Sequence, residues 1–304
     1  MKFSDVNIMG APMDFGAGRR GVDMGPSALR KAGLNGKLHQ LGYSIQDLGN
    51  VFVEQQESMA EGAANAKFLT SIAESCSRLA FMVEEVVQAG KFPLVLGGDH
   101  SIAAGTVAGV AAAYRKRGQK IGLIWIDAHT DMNTPETTPS GNVHGMPLAC
   151  CIGRGPVELT HLLGFAPKVE ARNVVLIGIR EVDKQERDLV RASGVTVFTM
   201  RQIDELGLRA VMEQALRVAG DDTAGFHISL DMDAIDPVEA PGVGTPVQGG
   251  MTYREGHLAM EMICDCNGML SLELVEVNPV LDNANRTAEL GVQLVASAMG
   301  KKIL

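Results

Sequence analysis

No apolar stretch in this chain reaches the roughly 18 uninterrupted residues that a membrane span requires, although 46% of the residues are apolar. The opening residues, Met1-Lys2-Phe3-Ser4-Asp5-Val6, lack the apolar core and small-residue cleavage site of a secretory signal. Basic residues are scattered rather than clustered, and the formal net charge is -9. Binding to phosphate backbones needs a basic stripe, so nucleic acid is excluded as the main partner. The expectation is a cytoplasmic protein that engages neither nucleic acid nor membrane. Cysteine is scarce: Cys76, Cys150, Cys151, Cys264 and Cys266 include no Cys-x-x-Cys pair. That excludes a zinc knuckle and a dithiol redox motif, and leaves small buried hydrophobes in a reducing compartment. The Gly-rich segment 10–25 fits neither a dinucleotide fingerprint nor a lysine-bearing phosphate loop, and is read as a tight loop near the site.

What is present is a regular alternation of elements, with no repeat and no low-complexity tract. Apolar strand-like runs fall at residues 5–10, 43–48, 93–96, 121–126, 173–179, 195–199, 226–230 and 270–275. Helix-like stretches fall at 25–32, 62–89, 101–117, 156–163, 185–193, 202–206, 208–218, 252–267 and 284–299. Alternating β and α elements predict an α/β fold of three layers, a mostly parallel sheet with helices on both faces. The 304 residues suffice for one large core, so a single domain spanning 1–304 is expected. Two segments rich in Gly and Pro, 133–147 and 236–250, read as loops running over that sheet.

Three clusters of acids and histidines sit where apolar runs end: Gly97-Gly98-Asp99-His100-Ser101, Asp127-Ala128-His129-Thr130-Asp131, and Asp231-Met232-Asp233-Ala234-Ile235-Asp236. The carboxyl ends of parallel strands are where open α/β sheets build sites. Carboxylates gathered there repel one another unless a cation holds them. Oxygen ligands mixed with imidazole favour a divalent ion of the manganese type over sulfur-bound zinc. If the chain stays extended past Ile126, residues 127, 129 and 131 share a direction. Asp231 and Asp233 have the same spacing, and His100 closes the set. Six candidate ligands exceed what one ion usually takes from protein, whereas two ions bridged by shared carboxylates use them all. Asp99 and Asp236 are read as supporting or turn-forming residues. His39, His161, His227 and His257 are read as surface or packing residues, and Trp125 as core.

These blocks resemble the signature motifs of the ureohydrolase family, and within it the arginases. The likeness runs from Gly10-Ala11-Pro12-Met13-Asp14 through Gly21-Val22-Asp23-Met24-Gly25-Pro26 to the end of the chain. It implies a doubly wound parallel sheet and a centre of two Mn2+ per subunit. By the family pattern His100, Asp127, Asp131 and Asp231 bind one ion. His129, Asp127, Asp231 and Asp233 bind the other, with Asp127 and Asp231 bridging.

Asn133-Thr134-Pro135 and Thr138-Pro139-Ser140-Gly141-Asn142-Val143-His144-Gly145 resemble the arginase loop rather than the shorter agmatinase segment. The resemblance implies that Asn133 and Ser140, with Thr138 nearby, meet a substrate carboxylate, and that Asp183 and Glu186 meet an α-amino group. It implies His144 as proton shuttle, Glu276 as guanidinium partner and Thr245 as pocket lining. The implied reaction is hydrolysis of L-arginine to L-ornithine and urea by a hydroxide bridging two manganese ions, with Asp233 accepting a hydrogen bond from it. The alternatives are an agmatinase or guanidinobutyrase, or a non-catalytic arginine-binding regulatory protein. The family also implies a homo-oligomer, trimer or hexamer, and its ligands could equally take cobalt or nickel.

Overall fold

The computed structural model describes residues 3–302. Its strands are β1 (Asp5–Ala11), β2 (Ser44–Asn50), β3 (Gly62–Ala63), β4 (Ala66–Lys67), β5 (Phe92–Gly97), β6 (Gly122–Ile126), β7 (Val174–Ile179), β8 (Thr196–Thr199), β9 (Phe226–Asp231) and β10 (Met269–Val275). Eight of them form one sheet in the order β2-β1-β5-β10-β9-β6-β7-β8, with every neighbouring pair parallel. β5, β6, β7, β9 and β10 are buried at every position, as strands covered on both faces must be. All eight sheet strands match the apolar runs read from the sequence, to within two residues at each end.

Side-chain alternation divides the core into two layers. Leu94, Leu96, Ile228, Leu230, Leu272 and Leu274 face one way. There they meet helices Gly25–Lys31, Leu208–Gly220, Tyr253–Cys266 and Arg286–Ala298. Val95, Leu123, Trp125 and Val275 face the other way, toward helices Leu69–Gln88 and Ala103–Arg115. Those two helices can lie close because Gly105 and Gly109 present no side chain. A Cβ at Gly105 would stand 2.5 Å from the Cys76 carbonyl oxygen, and one at Gly109 would stand 2.4 Å from that of Ala80.

The expected helix over 62–89 is shorter than its pattern suggested. Residues 62–67 form the antiparallel hairpin β3–β4, and the helix begins only at Leu69. Gly62 and Phe68 both have left-handed φ, at 77° and 53°, which breaks helical continuity. The stretch 156–163 is also cut short: its helix covers only Val157–Thr160, and Leu163 beyond it has a left-handed φ of 55°. A helix at Leu34–Gln40 and a short one at Pro147–Cys151 lie where no helix was expected. All five cysteines are free; Cys76, Cys150 and Cys151 are buried as expected, but Cys266 is exposed at a helix end. Among the described residues no helix is long and apolar enough to cross a membrane.

The order of the strands positions the site. β5 and β6 follow one another in the chain among the sheet strands, yet β10 and β9 lie between them. Such reversals open a crevice at the strands' carboxyl ends, where ligands bind in this architecture. The three clusters and Glu276 leave the four central strands at that edge.

Candidate metal centre and substrate pocket

Asp127 directly follows β6 and Asp231 ends β9, and each turns the chain at once. The Asp127 carboxylate accepts the His129 N–H at 2.6 Å, and the Asp231 carboxylate accepts the Asp233 N–H at 2.7 Å. The chain therefore does not stay extended past Ile126, and Asp131 even adopts left-handed φ of 48°. Convergence comes from these side-chain-to-backbone turns, not from strand alternation.

The result is two overlapping groups. His100, Asp127 and Asp231 form one, and Asp127, His129 and Asp233 form the other, with Asp127 common to both. His100 Nδ1 lies 3.1 Å from Asp127 Oδ2, 3.0 Å from Asp131 Oδ2 and 3.1 Å from Asp231 Oδ2. His129 Nδ1 lies 3.0 Å from Asp233 Oδ2 and 3.5 Å from Asp127 Oδ1. Trp125 packs its ring on His100 with centroids 4.1 Å apart and donates its indole N–H to Asp127 Oδ2 at 2.9 Å. Ala128 N–H and Thr245 Oγ1 donate to the two oxygens of Asp233, at 3.1 Å each.

Electrostatics test whether a cation belongs here. Burial and the charge of Asp127 push Asp131 up to about 7, and burial with Asp233 and Asp127 pushes Asp231 well above the carboxylate range. Burial opposes charge on the imidazoles, but their acidic neighbours hold His100 well above its usual value and push His129 up to about 12. The cluster thus collects protons in place of positive charge. The buried Nδ1 of His100 has no hydrogen-bond partner. A set of hard oxygens and imidazole nitrogens with an orphaned ring nitrogen fits divalent ions.

Above the cluster a narrow cavity of about 110 Å³ is lined by His129, Asp131, Asn133, Thr138, Ser140, His144, Asp183, Glu186, Asp231 and Thr245, together with Asn142 and Glu181. Every substrate-contacting residue expected from the sequence is there except Glu276, which lines the adjoining outer cavity of about 650 Å³ with His144 and Thr245. Asn142 and Glu181 went unassigned in the sequence, though Glu181 stands two residues before Asp183 in the same acidic stretch.

Asn133 donates its amide to Asp183 Oδ2 at 2.9 Å. Glu186 is 3% exposed and already occupied: it accepts from Thr130 Oγ1, from Met132 N–H at 2.7 Å and from Asp183 N–H at 3.2 Å. It therefore braces the loop beneath Asp183 in this structure. Thr138 and Ser140 shape the loop by accepting the N–H groups of Gly141 and Asn142.

Glu276 follows β10 with a left-handed φ of 62°, its N–H bonded to the Gly98 carbonyl. Its Oε1 accepts the His100 N–H at 2.9 Å and faces His144 Nδ1 at 3.0 Å, while Oε2 is buried without a partner. Burial disfavours the charge of either group, yet their pairing pushes His144 up to about 9 and holds Glu276 below its usual range. Asp99 and Asp236 are confirmed as turn formers. Asp99 accepts from Gly16 and Ser101 N–H, and Asp236 from Val238, Gly249 and Gly250 N–H. The guanidinium of Arg180 donates to the carbonyls of Asp233, Ala234, Gly178 and Val247, which ties the 236–250 loop to the second ligand turn.

An open parallel sheet whose central strand ends gather two overlapping His/Asp groups under a polar cavity defines a three-layer α/β protein with a candidate metal-binding centre at its topological switch point. Sequence comparison makes this specific: the chain belongs to the arginase family, whose model matches residues 4–300. The arginase of Brevibacillus brevis is 50% identical over 300 residues, covering 99% of both chains. The solved arginase of Bacillus caldovelox superposes with a TM-score of 0.94 at 49% identity, over 100% of each chain. An Entamoeba histolytica arginase solved in complex with L-ornithine has a TM-score of 0.90 at 31% identity, over 99% of this chain and 100% of its own.

Proposed function

We propose that this protein hydrolyses L-arginine to L-ornithine and urea with two manganese ions in the His/Asp centre. The observation that carries the reading is the buried, unpartnered Oε2 of Glu276 beside the ligand cluster. A planar guanidinium is the natural partner for a fixed carboxylate oxygen of this kind. Arginase relatives at about 50% identity over the whole chain support the substrate, as does the ornithine complex of a more distant one.

His100, Asp127, Asp131 and Asp231 would hold one ion, and His129, Asp127, Asp231 and Asp233 the other. Bound there, such a pair supplies water activated for attack at neutral pH and stabilises charge as it develops. The chain's own residues do the rest. Glu276 accepts from the guanidinium and turns its carbon toward the ligand cluster. Asp183, braced by Glu186, accepts from the α-ammonium at the cavity mouth, while Asn133, Thr138 and Ser140 offer donors to the carboxylate. Water adds to the guanidinium carbon, the bond to the δ-nitrogen breaks, and that nitrogen takes up a proton. His144 suits the proton delivery, since it lines both cavities and is held by Glu276.

The test is urea release from L-arginine, agmatine and 4-guanidinobutyrate by metal-stripped enzyme with and without added Mn2+. Arginine should lead, and only with metal. Faster release from agmatine would overturn the carboxylate assignment. No metal-dependent turnover at all would leave a binding protein on an enzyme's scaffold.

A further inference from the structure

Beneath the ligand cluster, on the sheet face covered by helix Ala103–Arg115, polar side chains stand where neighbouring strands carry apolar ones. β9 and β10 pair so that Ser229 lies beside Glu273 and His227 beside Ser271. Trp125 of β6 lies on the other side of Ser229. Ser229, Glu273, His227 and Ser271 are all 0% exposed. A carboxylate so placed is costly unless its oxygens are engaged, and nothing in the hydrolytic reading uses it.

The hydrogen bonds run in one direction. A carboxylate only accepts, so the Ser229 hydroxyl donates to Glu273 Oε1, at 2.7 Å. His227 Nε2 stands 3.3 Å from the same oxygen, and its Nδ1 lies 2.7 Å from Ser271 Oγ. With its hydrogen committed, Ser229 Oγ can only accept from His100 Nε2, 2.7 Å away. His100 therefore holds a hydrogen on Nε2, and the neutral ring that a cation requires has its lone pair on Nδ1. That is the nitrogen without a hydrogen-bond partner, facing Asp127, Asp131 and Asp231. Trp125, stacked on the same ring, fixes its plane.

We propose that Glu273 is a positioning residue of the metal centre, acting through Ser229 to hold His100 in the tautomer that presents Nδ1 to the site it shares with Asp127 and Asp231. This rests on the reading of the cluster as a two-ion centre. A carboxylate at the far end of the relay also makes the imidazole a stronger donor to a cation. The relay serves one of the two ions, because His129 reaches the cluster through Asp127 and Asp233, away from Ser229 and Glu273.

The experiment is Mn2+ titration of the metal-stripped protein, followed by electron paramagnetic resonance of free Mn2+, for the wild type, Ser229→Ala and Glu273→Gln. Circular dichroism establishes that each variant is folded. Ser229→Ala should weaken one ion by about 10- to 100-fold and leave the other unchanged. Glu273→Gln, nearly the same shape without the charge, should shift the same ion by a smaller factor. Adding Ser229→Ala to His100→Ala should cost nothing further, whereas adding it to His129→Ala should cost its full effect. Wild-type affinity at both sites in both folded variants, or equal weakening of both ions, would overturn the relay. A wild type that binds no Mn2+ would instead sink the two-ion reading on which it rests.

Discussion

His144 Nδ1 and Glu276 Oε1 stand 3.0 Å apart, so the expected proton carrier and the expected guanidinium partner form one unit. The sequence reading assigned them separate tasks. Their pairing leaves only Oε2 of Glu276 free for a ligand, because Oε1 also accepts the His100 N–H. In the proposed reaction this one carboxylate would both orient the imidazole and meet the guanidinium, coupling proton delivery to substrate position.

Replacing His144 by Asn should lower turnover by roughly 10²- to 10⁴-fold, the usual contribution of a positioned acid or base. Bound manganese, measured by atomic absorption after dialysis, should stay at the wild-type level. Loss of metal in step with loss of turnover would remove the shuttle assignment.

The same pair makes a pH prediction for the metal-stripped protein. His144 is raised to about 9 when folded, against about 6.5 when unfolded. Between those values the folded state holds a proton that the unfolded state has lost, so stability falls as pH rises. The Tm advantage of wild type over His144→Asn should be full below about pH 6.5 and fade through about pH 9. A difference constant across that window would show that the charge pair contributes nothing.

Manganese should stabilise the protein, and less so in acid. Asp131 is raised to about 7 and Asp231 well above its usual range, so ions must displace protons to bind. Free Mn2+ at 100 times its Kd adds about 2.7 kcal/mol of stability. Calorimetry should show a smaller rise in Tm at about pH 5.5 than at about pH 8, since bound protons compete with metal. A rise independent of pH would place the ions elsewhere.

Asp183 is exposed at the cavity mouth, which suits recognition of a group distant from the chemistry. Asp183→Asn should reduce kcat/KM for arginine by roughly 10- to 100-fold, the worth of about 1.5–3 kcal/mol for a charged hydrogen bond. 4-Guanidinobutyrate, which has no amino group, should be hydrolysed as before. Equal losses on both substrates would reassign Asp183 to holding the loop.

The unexpected hairpin supports the substrate loop, since Lys67 N–H bonds the Gly141 carbonyl and Asn65 bonds that of Pro135. Gly141 has φ 75°, and a Cβ there would lie 1.9 Å from the Ala64 carbonyl oxygen. Gly141→Ala should cost about 1–3 kcal/mol through strain at a left-handed position. It should raise KM for arginine more than it lowers kcat. Unchanged kinetics in a destabilised variant would separate the hairpin from substrate binding.

The strands were legible because burial on both faces writes continuous apolar runs, and the ligands because acids and histidines cluster where those runs end. The hairpin was not legible, since its partner is a loop some 70 residues away and the local pattern resembled a helix. The expected extended backbone after Ile126 failed because Asp127 captures the His129 N–H, a local competition that spacing does not reveal. The Glu273 relay left a signal that went unused. His227, Ser229, Ser271 and Glu273 alternate along two strands whose opposite face, Ile228, Leu230, Leu272 and Leu274, is apolar. Polar residues two apart in such strands mark a shared face and a reason to be there.

The insertion of β10 and β9 between β5 and β6 has a consequence for biosynthesis. The strand order leaves a chain made only as far as β8 with two separate sets of pairing strands, β2-β1-β5 and β6-β7-β8. The edges of β5 and β6 are then apolar and unpaired, the condition that invites aggregation. The last two strands act as a keystone, closing both edges at once and delivering Asp231, Asp233 and Glu276 with them. An assembly intermediate therefore has neither a finished sheet nor a finished His/Asp cluster, and chains truncated before residue 226 should stay bound to chaperones.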